Sequence, residues 1–338
     1  MPFRALVAAL LFFFFSQVPP RPKPPVDPPP PAAPGKLVTV GGHRLHLNCS
    51  GSGSPTVVVE SGLGDFSTDW VLVQSRVSRF TRICTYDRAG YAWSEPGPLP
   101  RTYPQINLEL HELLAAAGEH GPYVLVGHSF GGPLVRSYAA LYPGEVAGLV
   151  LVDTIHEDQR IPIMGKAVQL RATAQGHAIP PPRLHVRAED GTSHFVAAAP
   201  DPLEPPLDKL PPKNQQLHIW ASAQPGLEDA ENSQREWSAE SLALMHTTPQ
   251  KGSLGARPLI VLTRAKGGYD DNLDVSAAEL EKERLAFQKQ LTELSTNSTQ
   301  RILPCGHNMH LEAPAALSSA IHSVVLAVRF HSRISSPR

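Results

Sequence analysis

The sequence predicts an α/β domain in which a mostly parallel sheet is covered by helices on both faces. Three observations carry this. Continuous apolar runs of strand length recur along the chain, stretches with apolar residues at helical spacing separate them, and one proline-rich interval interrupts the alternation near the middle. A chain of 338 residues suits one large domain carrying an insertion.

Lys36–Val40 and Arg44–Leu47 flank Gly41-Gly42, so they read as two strands joined by a tight turn. Thr56–Glu60 is an apolar run bounded by Pro55 and Gly62, as expected of a strand buried on both faces. Arg82–Tyr86, Tyr123–Val126, Gly148–Val152, Leu259–Leu262 and Thr299–Leu303 are further runs of this type, which makes eight strands. Between them, Gln105–Ala117 places Ile106, Leu110, Leu113 and Leu114 on one helical face, with Gly118 as its C-terminal stop. Ser276-x-x-Glu279 is a capping box opening a helix whose Leu280, Phe287, Leu291 and Leu294 share a face. The last helix starts at Pro314, a favoured first-turn residue, and buries Leu317, Ile321, Val324 and Val328.

The alternation fails between Thr154 and Ala256. Pro180-Pro181-Pro182, Pro205-Pro206 and Pro211-Pro212 lie there, and helical patterning is confined to about Leu227–Met245. Long featureless loops are rare in compact domains, so 154–256 is expected to be a cap over the sheet, with 36–153 and 257–338 forming the core.

Proline makes up 35 residues, about twice the usual ~5 %, and ten of them fall between Pro19 and Pro34. Residues 19–35 are therefore expected to be an extended polyproline II linker, because proline lacks the backbone donor that helix and sheet need. Ahead of it, Arg4 precedes the uncharged run Ala5–Phe15, shorter than the ~20 residues a spanning helix requires. Residues 1–18 read as a secretory signal peptide, or as an uncleaved anchor giving membrane association; either implies export. No Ala-x-Ala site precedes the prolines, which counts against cleavage.

Lys and Arg number 30 against 31 Asp and Glu, so no basic field exists to hold nucleic acid. The three cysteines, Cys49, Cys84 and Cys305, make no CxxC pair, and His177, His185, His194 and His218 lack metal-ligand spacing, so they are expected to be solvated. Neither a metal nor another cofactor is implied, and oligomeric state is not legible.

The chemistry concentrates in Gly127-His128-Ser129-Phe130-Gly131, which follows the strand at Tyr123 and precedes a small-residue helix start. A strand, then G-x-S-x-G, then a helix makes a strained turn that exposes the serine hydroxyl. Here the chain resembles the α/β-hydrolase superfamily, specifically its small bacterial-type serine hydrolases, over about residues 36–155 and 256–330. The resemblance implies the family's eight-stranded sheet, Ser129 as nucleophile, and the Phe130 N–H as half of an oxyanion hole. By position, Gly62 and Leu63 in Glu60-Ser61-Gly62-Leu63-Gly64 would supply the other half, although family members usually carry His-Gly there. Asp87-Arg88-Ala89-Gly90-Tyr91-Ala92-Trp93-Ser94 looks like the family's D-R-x-G-x-x-x-S stretch, expected to fix the loop beside the site. Cys305-Gly306-His307 with Glu312-Ala313-Pro314 looks like its base segment, which makes His307 the general base. His310 would pack on the following helix, and the backbone of His128 would matter more than its ring.

The acid departs from the family pattern. Members usually place it just after the seventh strand, where this chain has Arg264 and reaches a carboxylate only at Asp270 and Asp271. Asp153, ending the sixth strand, is the preferred candidate, because neighbouring strands lie ~4.8 Å apart and it could reach the histidine. The expected reaction is hydrolysis of a small-molecule acyl ester through an acyl-enzyme. A peptidase of the proline-iminopeptidase type, with Glu228 and Glu231 recognising an amino terminus, and a non-catalytic receptor are the rivals. In this fold the second and fourth strands pair antiparallel, so the resemblance also implies that Cys49 and Cys84 can form a disulfide, leaving Cys305 free; three reduced cysteines are the alternative.

Overall fold

The computed structural model describes residues 30–187, 190, 203–248, 250–269 and 272–334. The chain divides into Met1–Ala32 and Ala33–Arg338, and every element below belongs to the second unit. The signal and most of the linker expected at 1–29 lie outside the described residues.

Eight strands form one sheet. In chain order they are β1 (Lys36–Val40), β2 (His43–Ser50), β3 (Val57–Glu60), β4 (Ile83–Tyr86), β5 (Tyr123–His128), β6 (Val146–Val152), then β9 (Leu259–Arg264) and β10 (Ser298–Leu303). Their order across the sheet is β1-β2-β4-β3-β5-β6-β9-β10. β2 runs antiparallel to β1 and β4, and the remaining pairs are parallel. Cys49 lies opposite Cys84 in the β2–β4 register, and the two form a disulfide, as expected.

The period of two along each strand divides the core. Val58, Leu125, Leu149, Leu151 and Val261 pack on one face against α2 (Tyr103–Ala117) and α3 (Gly131–Leu141). Val57, Val59, Val124, Val126, Val150, Val152, Ile260 and Leu262 pack on the other, against α1 (Val71–Val77) and α7 (Pro314–Arg329). Thr102 caps α2 by accepting the Gln105 N–H, and Gly118 ends it in the left-handed conformation at φ 76°. Ser276 likewise caps α6 (Ala277–Gln290) through the Glu279 N–H. That helix stops earlier than its apolar spacing suggested, and Leu291 and Leu294 are buried from a 3-10 turn instead.

Between β6 and β9 the chain forms a hairpin, β7 (Arg160–Ile163) with β8 (Lys166–Gln169), and two helices, α4 (Pro212–Ser222) and α5 (Pro225–Thr247). The hairpin and α4 had no clear sequence signal. α4 buries only Leu217 and Ala221, too few positions for a recognisable stripe. Both helices dock on loops at the C-terminal end of the parallel strands: Asn214 donates to the Thr68 carbonyl, and Ser233 accepts the Arg101 N–H. Leu242 and Met245 of α5 pack with Phe130, Leu134 and Leu63. Among the described residues no helix is long and apolar enough to cross a membrane.

Candidate active site

β5 ends at His128, and Ser129 turns the chain into α3 with φ 50°, a left-handed conformation costly for a residue with a side chain. The turn closes because Gly131 has no Cβ; one there would land on the Glu60 carbonyl oxygen. The Ser129 N–H is held by the Val152 carbonyl, which ties the turn to the end of β6.

The same strand end carries Asp153, also at positive φ (38°). Its Oδ2 accepts from His307 Nδ1 at 2.7 Å. His307 follows β10 through Gly306, whose N–H donates to Glu312 at 2.9 Å. With Nδ1 donating to Asp153, Nε2 is the ring nitrogen left to accept a proton. Ser129, Asp153 and His307 line one cleft of about 430 Å³, together with Gln159, Arg264 and Tyr269. Asp270 and Asp271, the other candidate acids, lie outside the described residues.

Arg264 occupies the place after the seventh sheet strand where the family's acid usually stands, and it bonds the relocated carboxylate: Nη1 reaches Asp153 Oδ2 at 2.8 Å. Arg284, on α6 and buried, donates to Asp153 Oδ1 at 2.9 Å and also pairs with Glu281. Burial pushes the Asp153 carboxyl up. The His307 hydrogen bond and charge, then the two arginines, outweigh it and hold Asp153 well below the ordinary carboxylate range. Neither arginine was given a role from the sequence, because side chains 111 and 131 positions from Asp153 carry no local mark of facing it.

Two backbone donors of the expected oxyanion residues are uncommitted. The N–H groups of Phe130 and Leu63 have no hydrogen-bond partner among the described residues. Gly62 corrects the expectation: its N–H donates to Asp65 Oδ2 at 3.0 Å and is engaged within the loop. Arg88 orients the donor that remains. Its guanidinium donates to the Ser61 carbonyl at 2.8 Å and the Gly62 carbonyl at 2.7 Å, with a further bond to Glu60. A trans peptide points its C=O and N–H in opposite directions, so gripping the Gly62 carbonyl from below directs the Leu63 N–H away from Arg88. Asp87 bonds His46 and the Ser67 N–H, which gives the 87–94 stretch the loop-fixing role expected of it.

Other histidines differ from expectation. The His128 ring is buried and bonds Asp65 at 2.9 Å and the His307 carbonyl at 3.1 Å, so its side chain is as constrained as its backbone. His310 stacks on Trp70 (4.8 Å between centroids), and burial lowers it to about 3, so it is neutral. His218 is not solvated; it pairs with buried Asp69 at 3.0 Å. His194 lies outside the described residues. Asp65, His128 and His310 bring ligand-type atoms within 4.8 Å of one another, but Asp65 and His128 meet directly and serve each other as partners. Cys305 is a free, buried thiol, which burial pushes up to about 11.

A family model described as alpha/beta hydrolase fold matches residues 55–314. The chain is 34 % identical over 119 residues to protein YqjL of Bacillus subtilis, covering 35 % of this chain and 47 % of that one. It is 29 % identical over 107 residues to an AB hydrolase superfamily protein of Gibberella zeae, covering 30 % and 33 %. The chain thus spans less than half the length of these curated relatives. Among solved structures, a thermophilic esterase from Thermogutta terrifontis superposes with TM-score 0.59 at 19 % identity, over 88 % of this chain and 99 % of that one. An enol-lactonase from Burkholderia xenovorans does so with TM-score 0.55 at 16 % identity, over 86 % and 100 %. At these identities the superpositions speak to the fold.

Proposed function

The chain belongs to the α/β-hydrolase family, and from that premise we propose that it is a serine hydrolase that cleaves ester-type acyl bonds of small molecules through an acyl-enzyme on Ser129. The observation that carries the reading is the 2.7 Å bond from His307 Nδ1 to Asp153, in a cleft that also holds a serine in a strained strand-to-helix turn. His307 Nε2 takes the Ser129 proton as Oγ attacks the carbonyl carbon. Negative charge moves onto the carbonyl oxygen, and the Leu63 and Phe130 N–H groups receive it. Asp153 keeps the imidazole in the tautomer that leaves Nε2 free and stabilises the imidazolium. The imidazolium then protonates the departing alkoxide, and a water activated by the same nitrogen releases the acid.

The peptidase alternative gains little support. Glu231 is the acidic residue beside the oxyanion loop, near Gly64, yet Arg235 pairs with it at 2.7 Å, and Glu228 is exposed. Export belongs to the same proposal and is supported by the Cys49–Cys84 disulfide, a bond that persists in oxidising compartments.

A fluorophosphonate probe tests the assignment. The wild-type protein is expected to label at Ser129 and to hydrolyse p-nitrophenyl acetate. Ser129→Ala and His307→Ala should each abolish turnover, with the double variant little worse than either single one, because the groups act as a unit. Undiminished labelling of Ser129→Ala, or losses that multiply, would remove the proposal.

A further inference from the structure

The geometry points to His128 as a positioning residue of this site: a buried imidazolium that ties the oxyanion loop to the loop carrying His307. This rests on the serine-hydrolase reading above. Both ring nitrogens face atoms that accept. Nδ1 lies 2.9 Å from Asp65 Oδ2, and Nε2 lies 3.1 Å from the His307 carbonyl oxygen. A neutral imidazole has a single N–H, so both bonds coexist in two ways: the ring carries two protons and Asp65 is a carboxylate, or Asp65 keeps the proton and donates it to Nδ1. The first holds: burial pushes Asp65 up, but the His128 hydrogen bond and charge outweigh it and keep Asp65 well below the ordinary carboxylate range, while its Oδ2 also accepts the Gly62 N–H at 3.0 Å.

The surroundings favour that state. Titratable groups face the ring from three directions: Asp65 on the loop after β3, Asp153 at the end of β6, and His307 and His310 after β10. Burial alone would lower His128. The Asp65 bond and charge, the His307 carbonyl and the Asp153 charge outweigh it and raise His128 above the ordinary histidine value. His310, 5.0 Å away, is held neutral and adds no competing charge.

One side chain therefore joins three segments that must be in register for catalysis. It precedes Ser129 in the chain, reaches the Gly62 N–H through Asp65, and holds the backbone of His307. The Gly62 carbonyl, which shares its peptide with the Leu63 N–H, also accepts the Asp65 N–H at 3.4 Å, so a displaced Asp65 displaces the free Leu63 donor as well. A buried ion pair is in general weak evidence for stability; here its consequence is geometric. When His128 loses a proton, one of the two bonds must break. Because its folded-state value is raised, the working arrangement persists below that value and is lost as pH rises through it. The loss falls on the transition state, where the oxyanion forms, so kcat declines on the alkaline side with little change in KM.

The full-length protein and p-nitrophenyl acetate as probe substrate suffice for the test. Nitrogen-15 NMR of histidine-labelled wild type at pH 7 should show both His128 nitrogens protonated. Asp65→Asn, which removes the counter-charge, should lower kcat about ten- to a hundredfold at pH 8, less than the ~10²–10³ of losing a donor outright. It should also move the alkaline limb of kcat to lower pH by a unit or more and leave KM within about threefold. A neutral His128 ring in the wild type at pH 7 overturns the inference, even if the variant fails to fold. So does Asp65→Asn with kcat and its alkaline limb unchanged. A wild type that neither labels with fluorophosphonate nor turns over ester has a different signature, and it overturns the underlying reading and the positioning role with it.

Discussion

Replacing Asp153 with asparagine separates the two jobs this carboxylate holds. Its oxygens accept from His307 Nδ1 at 2.7 Å, from Arg264 Nη1 at 2.8 Å and from Arg284 Nη1 at 2.9 Å. An amide has one oxygen, and with that oxygen in the Oδ1 place, where Arg284 Nη1 and the Arg264 N–H donate, the NH₂ group takes the place of Oδ2 and faces His307. Nδ1 must then accept, the ring proton moves to Nε2, and the nitrogen that should take the Ser129 proton is occupied. The expected fall in kcat is ~10³–10⁴, as for a triad held in the wrong tautomer, or about 4–5.5 kcal/mol at 1.36 kcal/mol per decade. Stability falls independently. Breaking a buried pair costs about 3–5 kcal/mol, and the lower end applies because Glu281 still pairs with Arg284. Turnover of p-nitrophenyl acetate, normalised to folded protein by circular dichroism, measures the first effect, and urea midpoints measure the second. If Asp153→Asn keeps kcat within tenfold of wild type, or if Asp270→Asn or Asp271→Asn loses more, the assignment of the acid is wrong.

Two further outcomes follow from the same structure. Removing the disulfide with Cys49→Ala and Cys84→Ala opens a loop of 35 residues, for which the chain-entropy relation gives about 3.8 kcal/mol at 25 °C; equal urea midpoints with and without the bridge would contradict it. Burial pushes Glu157 up, but its bonds to Arg136 at 2.7 and 2.9 Å prevail and bring it down from 4.5 to about 2. A depressed carboxylate stabilises above its unfolded value and loses that contribution as pH falls through the folded one. Glu157→Gln should therefore flatten the decline in stability between about pH 5 and pH 2, and an unchanged slope there would exclude the pair as its source.

What the sequence by itself determined is what short-range physics controls. Strands buried on both faces must be apolar throughout, so β3, β5, β6 and β9 were legible as runs, and the reversal at Ser129 needs glycines within two residues of it. The caps at Thr102, Gly118 and Ser276 act within one helical turn; of these, the roles of Gly118 and Ser276 were read directly. The serine and the histidine were legible for the same reason, since each sits in a local turn with a recognisable pattern. The tertiary structure decided what depends on distant partners. Asp153 and His307 are 154 positions apart, and His128 and the His307 carbonyl 179; no local spacing encodes either meeting. Whether a glycine N–H is free for an oxyanion depends on where Asp65 turns, and whether a ring in the elbow is charged depends on which acceptors enclose it. Those are properties of the packed interior, where each polar group must find a partner or bear the cost of having none.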